Sequence, residues 1–164
     1  MIIGFALISA RPSQRRAPLE RDRLQAPLRA LFASQMTSAT TPTRISDVQT
    51  LPQLLAFRVG QTPQREAFRA YDTASQSWQS LNWEQAAGRI ATWAQALAAL
   101  QLPTGARVAI LLPNGLHAMC ADQATLATGC VPVPLHAIDN PGSIAYILAD
   151  CEASMLIVGQ AEQW

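Results

Sequence analysis

Hydrophobic positions between residues 107 and 159 alternate between short continuous runs and stretches with helical spacing. The runs are residues 108–112, 131–135 and 154–158, and the stretches between them repeat apolar residues every three or four positions. Strands that alternate with helices predict a mostly parallel sheet flanked by helices, because parallel strands need a crossover connection. Since residues 108–112 are all apolar, we expect that strand to be covered on both faces.

The preceding region predicts two further helices and a hairpin. Residues 50–60 carry leucines at helical spacing and end on a glycine that is expected to stop the helix. Residues 67–71 and 77–81 predict the strands of a small β-hairpin around a polar turn. Asn82 then precedes a long amphipathic stretch, and Gln85 completes the pattern of a capping box.

Later boundaries also have local signals. Asn114 is expected to cap the helix after the first buried run, and Gly129 to end it in a left-handed conformation. Asn140 followed by Pro141 predicts the start of the last helix. Two prolines within residues 131–135 cannot donate ladder hydrogen bonds, so that strand is expected to be short or to lie at a sheet edge.

Charge is unevenly distributed along the 164 residues. Residues 1–45 contain seven Arg and two acidic residues, whereas residues 46–164 contain five Arg and nine acidic residues, giving net charges of +5 and −4. The mildly acidic second part argues against a nucleic-acid surface. All twelve basic residues are Arg. The chain therefore has no lysine to offer to a phosphate or a Schiff base.

Residues 1–45 differ from the rest in pattern too. The apolar start, roughly ten residues long, is too short to span a bilayer. It also lacks the basic region that precedes the apolar run of a secretory signal. An Arg-rich, acid-poor stretch that faintly resembles a transit peptide follows it, and then a Ser/Thr-rich run. We expect residues 1–45 to be a disordered leader and linker, and residues 46–164 to form the folded domain. Whether residues 1–35 are translated is left open.

The three cysteines, an odd number without C-x-x-C spacing, predict buried free thiols in a reducing cytosol. They are Cys120, Cys130 and Cys151. His117 lies about one helical turn before Cys120, which brings a base toward a thiol. The pair falls in a predicted core helix, however, and we expect packing rather than catalysis.

Polar residues that follow the strand at 131–135 are the candidate substrate-binding residues. His136 and Asp139 come after its carboxyl end, where ligands bind in α/β sheets. They are expected at the edge of a pocket for an acid or its adenylate. The alternative is an ordinary surface loop with an aspartate at a helix start. Trp78 and Trp83 have two interpretations: stacking against a ligand, or packing within the hairpin and core. We expect packing.

Four segments resemble motifs of the acyl- and aminoacyl-adenylating enzymes, in family order and spacing, over roughly residues 48–160. Leu81-Asn-Trp-Glu-Gln-Ala resembles the opening motif L-T-Y-x-E-L, and Gly105-Ala-Arg-Val-Ala-Ile-Leu-Leu-Pro-Asn resembles G-D-R-V-A-I-L-L-P-N. Leu126-Ala-Thr-Gly-Cys-Val-Pro-Val-Pro-Leu is similar to L-x-A-G-x-x-x-V-P-L, and Ile144-Ala-Tyr-Ile-Leu-Ala-Asp-Cys-Glu-Ala to I-x-Y-I-L-x-D-S-x-A. The hairpin segment Ser77-Trp-Gln-Ser-Leu-Asn-Trp is most similar to the long-chain acyl-CoA synthetases.

The resemblance implies the N-terminal subdomain of an adenylate-forming fold, here truncated. The parent would be an AMP-forming fatty acid–CoA ligase that converts an acid, ATP and CoA to acyl-CoA, AMP and pyrophosphate. In the family a Ser/Thr/Gly-rich phosphate loop, an acidic magnesium ligand and a catalytic lysine carry this chemistry. All of them lie downstream of the matched segment. No catalytic, cofactor-binding or metal-binding residue is therefore assigned, and we expect this chain to be inactive alone and to bind no cofactor.

Two other classes of function stay open on the sequence. One is a fragment of an amino-acid-activating or luciferase-like adenylating enzyme, since the opening motifs are shared. The other is a standalone, non-enzymatic α/β binding module. We expect a cytoplasmic protein without a transmembrane segment. Peripheral membrane association, the identity of the acid, the oligomeric state and the origin of the truncation are left open.

Overall fold

The computed structural model describes residues 4–7, 42, 44–136 and 138–159 of the chain. After a short 3₁₀ turn, the elements of these ranges alternate as expected from residue 51 onward. The strands are β1 (Gly4–Leu7), β2 (Glu66–Asp72), β3 (Ser77–Asn82), β4 (Arg107–Leu111), β5 (Val131–Pro134) and β6 (Met155–Val158), and the helices are α1 (Leu51–Gln61), α2 (Trp83–Ala98), α3 (Leu116–Ala127) and α4 (Pro141–Asp150). None of the described helices has the length and apolar character needed to cross a membrane.

The main sheet has the strand order β1-β6-β4-β5, and β2 and β3 form a separate antiparallel hairpin. Strand β4 lies at the centre and pairs in parallel with both β5 and β6. The predicted parallel sheet, its flanking helices and the small hairpin are thus confirmed. Parallel pairing places the carboxyl ends of β4, β5 and β6 at one edge of the sheet.

Strand β1 pairs antiparallel with β6, from Gly4 opposite Val158 to Leu7 opposite Met155. The expectation of a disordered leader is therefore wrong for Gly4–Leu7. The physical reason is that β6 would otherwise leave a row of unpaired N–H and C=O groups at the sheet edge. The backbone of Gly4–Leu7 provides hydrogen-bond partners for these groups. Residues 8–41 and 43 lie outside the described residues, and the domain boundary at residue 46 stays a prediction.

The two faces of the sheet bury separate clusters of side chains, as successive residues of a strand point to opposite sides. One cluster packs against α1, α2 and α3 and includes Val108, Ile110, Met155 and Ile157. The other packs against α4 and includes Ala109, Leu111, Leu156 and Val158. All eight side chains are at most 6% exposed. This confirms that β4 is covered on both faces.

Helix termini follow the predicted caps with two exceptions. Asn82 caps α2 and Asn140 caps α4, each accepting a hydrogen bond from the backbone three residues on. Gly129 has φ +75° just after α3, as predicted.

Gly60, however, lies inside α1, which ends at Gln61 and has Thr62 as its C-cap. The glycine does not stop the helix because Thr62 N still donates to Arg58 O at 3.0 Å. The second exception, Asn114, lies at the candidate site.

Strand β5 is four residues long and forms one edge of the main sheet, as its prolines predict. Val131 N donates to Ala106 O and Leu135 N donates to Ile110 O, both at 2.9 Å. These alternate amides therefore face β4. The intervening residues, Pro132 and Pro134, stand where the amides would face away from the sheet. The outer edge of β5 consequently offers no N–H donor to a further strand.

Candidate functional site

Two loops and a strand end meet at the carboxyl edge of the parallel sheet. Residues 112–115 connect β4 to α3, residues 135–140 connect β5 to α4, and Gly159 follows β6. Ligands of open α/β sheets bind at this edge, because the loops leave an open crevice beside the helix starts. The loops contain two ionisable side chains, and these are the predicted residues His136 and Asp139.

The loop after β5 holds both candidate residues on one tight turn. Leu135 N donates to Ile110 O at 2.9 Å, which extends the pairing with β4 up to the turn, and Asp139 N donates to His136 O at 3.0 Å. His136 is exposed and Asp139 is half-buried. Between them Ile138 is 95% exposed. The structure thus places both residues at the expected edge, and their contact with a substrate stays a prediction.

Asn140 fixes the far end of this loop. Its Oδ1 accepts from Ser143 N at 2.9 Å, and its Nδ2 donates to Ser143 Oγ at 3.0 Å. Pro141 occupies the first turn of α4, where its missing N–H costs no intrahelical bond. The turn that carries His136 and Asp139 is therefore anchored on one side by sheet pairing and on the other by a capped helix.

The loop after β4 corrects one prediction. The N-cap of α3 is Gly115, and no side chain caps this helix. Asn114 is exposed and lies one residue too early to cap the helix. The N–H groups of the first turn of α3 are left for water or a ligand at the carboxyl edge. The sequence did not predict this feature, because an Asn before an apolar run indicates a cap but does not fix the first residue of the helix.

The site is poor in positive charge. Within the described residues of the two loops there is no Arg or Lys. Arg107 lies at the opposite end of β4, where its Nε donates to Cys151 O at 2.6 Å and its Nη2 contacts Glu152 Oε2 at 2.6 Å. This arginine joins β4 to the turn before β6, a structural role that the sequence did not reveal.

The other candidates of the sequence analysis are packed side chains. Cys120 is 1% exposed. Burial raises the pKa of its thiol, and the positive charge of Arg89 opposes this only in part. His117 faces the ring of Trp93, with centroids 6.4 Å apart. Because a neutral, buried thiol is a poor nucleophile, the packing interpretation of Cys120 is supported.

The two tryptophans of the hairpin region also pack against aromatic neighbours. Trp83 meets Phe68 edge to face, with ring centroids 5.6 Å apart, and the guanidinium of Arg58 lies 5.5 Å from the centroid of the Trp83 ring. Trp78 meets Tyr71 edge to face at the same centroid distance of 5.6 Å. Packing accounts for Trp83, which is half-buried, whereas Trp78 remains 65% exposed.

Comparison with solved structures shows the same fold in N-terminal parts of adenylate-forming enzymes. The N-terminal subdomain of NpsA from Klebsiella oxytoca, in complex with 3-hydroxyanthranilyl-AMSN, has a TM-score of 0.63 at 20% identity over 71% of this chain and 28% of that chain. A fatty acid AMP ligase from Legionella pneumophila gives 0.61 at 20% identity, over 66% of this chain and 19% of that chain. A fatty acyl CoA synthetase from Mycobacterium tuberculosis gives 0.55 at 24% identity, over 62% and 20%.

At these identities the likeness is one of fold, and the chain spans between 19% and 28% of the length of these solved chains. No curated protein sequence matches the chain significantly. The family model described as AMP-binding enzyme matches residues 55–164, which is more than half of the sequence. The chain therefore belongs to the AMP-binding enzyme family.

Proposed function

We propose that residues 46–164 form part of the N-terminal adenylating domain of an AMP-forming acid–thiol ligase that acts on fatty acids. In this reaction a carboxylate attacks the α-phosphate of ATP and releases pyrophosphate. The sulfur of CoA then attacks the acyl carbon of the adenylate and releases AMP. The observation that carries the proposal is the family match over residues 55–164. The fatty acid preference is supported by two structural neighbours that are named as fatty acid enzymes.

In this proposal the sheet acts as the scaffold of the acid and adenylate pocket. The turn at the end of β5 presents His136 and Asp139 at its rim, held by sheet pairing and by the capped start of α4. These two side chains do not fit ATP and Mg²⁺ on their own, because a triphosphate needs cationic groups around it and the described residues of the two loops include no Arg or Lys. We place the phosphate-neutralising groups elsewhere in the enzyme and predict that residues 1–164 alone do not adenylate an acid.

The test measures exchange of labelled pyrophosphate into ATP. The chain of 164 residues and the protein expressed from its own gene locus are each assayed with octanoate, palmitate, benzoate and a set of amino acids. We expect no exchange with the 164-residue chain, and exchange followed by thioester formation with fatty acids for the protein from the locus. Exchange by the 164-residue chain refutes its inactivity, and a locus product that activates none of the acids refutes the adenylating function.

The role of the turn is tested separately in the active enzyme. Substitution of His136→Ala or Asp139→Asn is expected to raise KM for the acid, whereas Arg69→Ala, on the separate hairpin, serves as a control away from this edge.

A location in the cytoplasm is also part of the proposal, supported by the three free cysteines. Cell fractionation that recovers the protein from an oxidising compartment would contradict it.

A further inference from the structure

Strand β1 has a row of unpaired backbone groups at one edge of the main sheet. It is the terminal strand in the order β1-β6-β4-β5, and within the described part of the chain β6 is its one pairing partner. Successive backbone groups of an edge strand alternate between the paired side and the open side. The side of Gly4–Leu7 that faces away from β6 can therefore form hydrogen bonds with a further strand.

The described strands that have an open edge differ in their residue types. Strand β5 has Pro132 and Pro134, and β2 carries the charged residues Glu66, Arg69 and Asp72. Strand β3 contains two serines, a glutamine and an asparagine. Strand β1 reads Gly-Phe-Ala-Leu and has no proline, charged or polar residue. Because proline and charge are the usual means of preventing strand addition, β1 has the least protected of these edges.

The sequence around β1 favours a second copy of the same chain as the added strand. Residues 1–10 contain no charged residue and no proline, and they include three isoleucines and a phenylalanine. Segments with high β-propensity and low charge pair with identical segments of other chains. Arg11 and Pro12 follow directly. A charge and a proline at the end of such a segment limit the length of the ladder, which favours a small assembly over a fibril.

Charge also selects the orientation of the two strands. Residues 11–29 contain six Arg and two acidic residues. A parallel pair of β1 strands would send these two positive stretches away from the ladder side by side, whereas an antiparallel pair sends them from opposite ends. Antiparallel pairing of identical strands has a two-fold axis, and the contact closes as a dimer because each copy uses the same edge.

We propose that two copies of the chain associate through antiparallel pairing of their β1 strands. This contact joins the two four-stranded sheets into one continuous sheet. Pairing of β1 with β3 of another copy is the competing arrangement, and it would produce open-ended assemblies because the two contact surfaces differ. The proposal rests on the pairing and residue types of the described strands and on residues 1–29 of the sequence, and it is independent of the adenylating function.

The first experiment is sedimentation velocity of the 164-residue chain in a reducing buffer, so that its free cysteines form no disulfide between copies. Since a short ladder is smaller than a standard interface of about 1,600 Å², we expect a weak dimer whose fraction rises between about 10 µM and about 1 mM chain. A chain that stays monomeric at the highest concentration would overturn the proposal. Growth beyond the dimer would overturn the two-fold arrangement.

The second experiment locates the contact by hydrogen exchange and mass spectrometry at the two ends of this concentration range. Exchange of the peptide that covers residues 1–10 should slow about twofold or more at high concentration, because outward amides of β1 become hydrogen-bonded. The peptide that covers β3 is the control, since its edge belongs to the separate hairpin, and its exchange should not change. Protection of the β3 peptide without protection of residues 1–10 would contradict the assignment.

A pair of proline substitutions separates the two sides of β1. Phe5→Pro and Ala6→Pro remove neighbouring amides, of which one faces β6 and the other faces outward. Loss of the outward donor is expected to weaken the dimer about tenfold or more at an unchanged urea midpoint, because the symmetric contact loses that bond twice. Loss of the donor that faces β6 is expected to lower the urea midpoint. A dimer that both variants leave unweakened would refute the pairing.

Discussion

Asn82 and Asn114 provide a matched pair of substitutions, because each lies next to a helix start but only Asn82 caps a helix. Asn82 Oδ1 accepts from Gln85 N at 2.7 Å, and Gln85 Oε1 accepts from Asn82 N at 3.0 Å. Asn114 precedes Gly115, the N-cap of α3, and no side chain caps that helix. We predict that Asn82→Ala destabilises the fold and that Asn114→Ala does not.

The magnitude follows from the bonds that each substitution removes. Loss of an Asn cap costs typically about 1 kcal/mol and up to about 2 kcal/mol. Asn82 also donates through Nδ2 to Gln64 Oε1 at 3.0 Å, but this bond is exposed and adds little. We therefore expect Asn82→Ala to lower the free energy of unfolding by about 1–2 kcal/mol, and Asn114→Ala to change it by less than about 0.5 kcal/mol. For a chain of this size, the first change lowers Tm by about 2–8 °C.

Urea unfolding of the 164-residue chain, followed by far-UV circular dichroism, measures both free energies. Asn82→Asp is the conservative control, since aspartate caps about as well as asparagine and is favoured at a helix N-terminus. Similar losses in Asn82→Ala and Asn114→Ala would refute the assignment of caps. A full loss in Asn82→Asp would show that the backbone bonds are not what Asn82 contributes.

Three further predictions concern single contacts. Burial raises the pKa of the Cys120 thiol, so iodoacetamide should modify it far more slowly in the folded chain than in urea. The free energy of unfolding should fall as the pH rises above the ordinary range of a thiol, because the thiol of the unfolded chain ionises first. Rapid labelling of the folded chain in a peptide map would contradict this. Glu152→Ala should lower the free energy of unfolding by less than about 1 kcal/mol, because the ion pair of Glu152 with Arg107 is exposed. Arg107→Met should lower it more, since this change also removes the hydrogen bond from Arg107 to the carbonyl of Cys151. Equal urea midpoints of the two variants would refute the ranking. The Ser75 hydroxyl donates to Asp72 Oδ2 at 2.8 Å and lowers the pKa of Asp72. Ser75→Ala should therefore raise that pKa toward its unfolded value and reduce the stability lost on acidification, because the loss spans the interval between the two values. An unchanged Asp72 titration by carbon-detected NMR would count against this.

The order of elements in residues 51–158 was predictable because each element has its own local signal. Runs without polar residues marked the buried strands, and Asn140 with Pro141 marked the start of α4. The start of α3 was mispredicted because a cap depends on one backbone position. Asn114 sits a single residue outside it. The pairing of β1 with β6 joins segments about 150 residues apart in sequence, and no local pattern encodes such a partner.

The inner face of α3 shows a second limit. The apolar spacing of the sequence does not single out Thr125, yet this residue is fully buried in α3. Its Oγ1 donates to Ala121 O at 2.8 Å, so the hydroxyl is satisfied within its own helix and leaves the methyl group to pack. A polar residue in the core costs little under these conditions, and periodicity alone cannot identify it.

The candidate site was predictable in place but not in chemistry. Because β4, β5 and β6 run in parallel, residues after their carboxyl ends had to meet, and His136 and Asp139 do lie there. What acts on a triphosphate is a set of charges converging on one volume, and a single imidazole with a single carboxylate does not make that set. The carboxyl edge has anchored loops, but their described residues include no Arg or Lys. This arrangement suits a rim that other groups complete around a substrate.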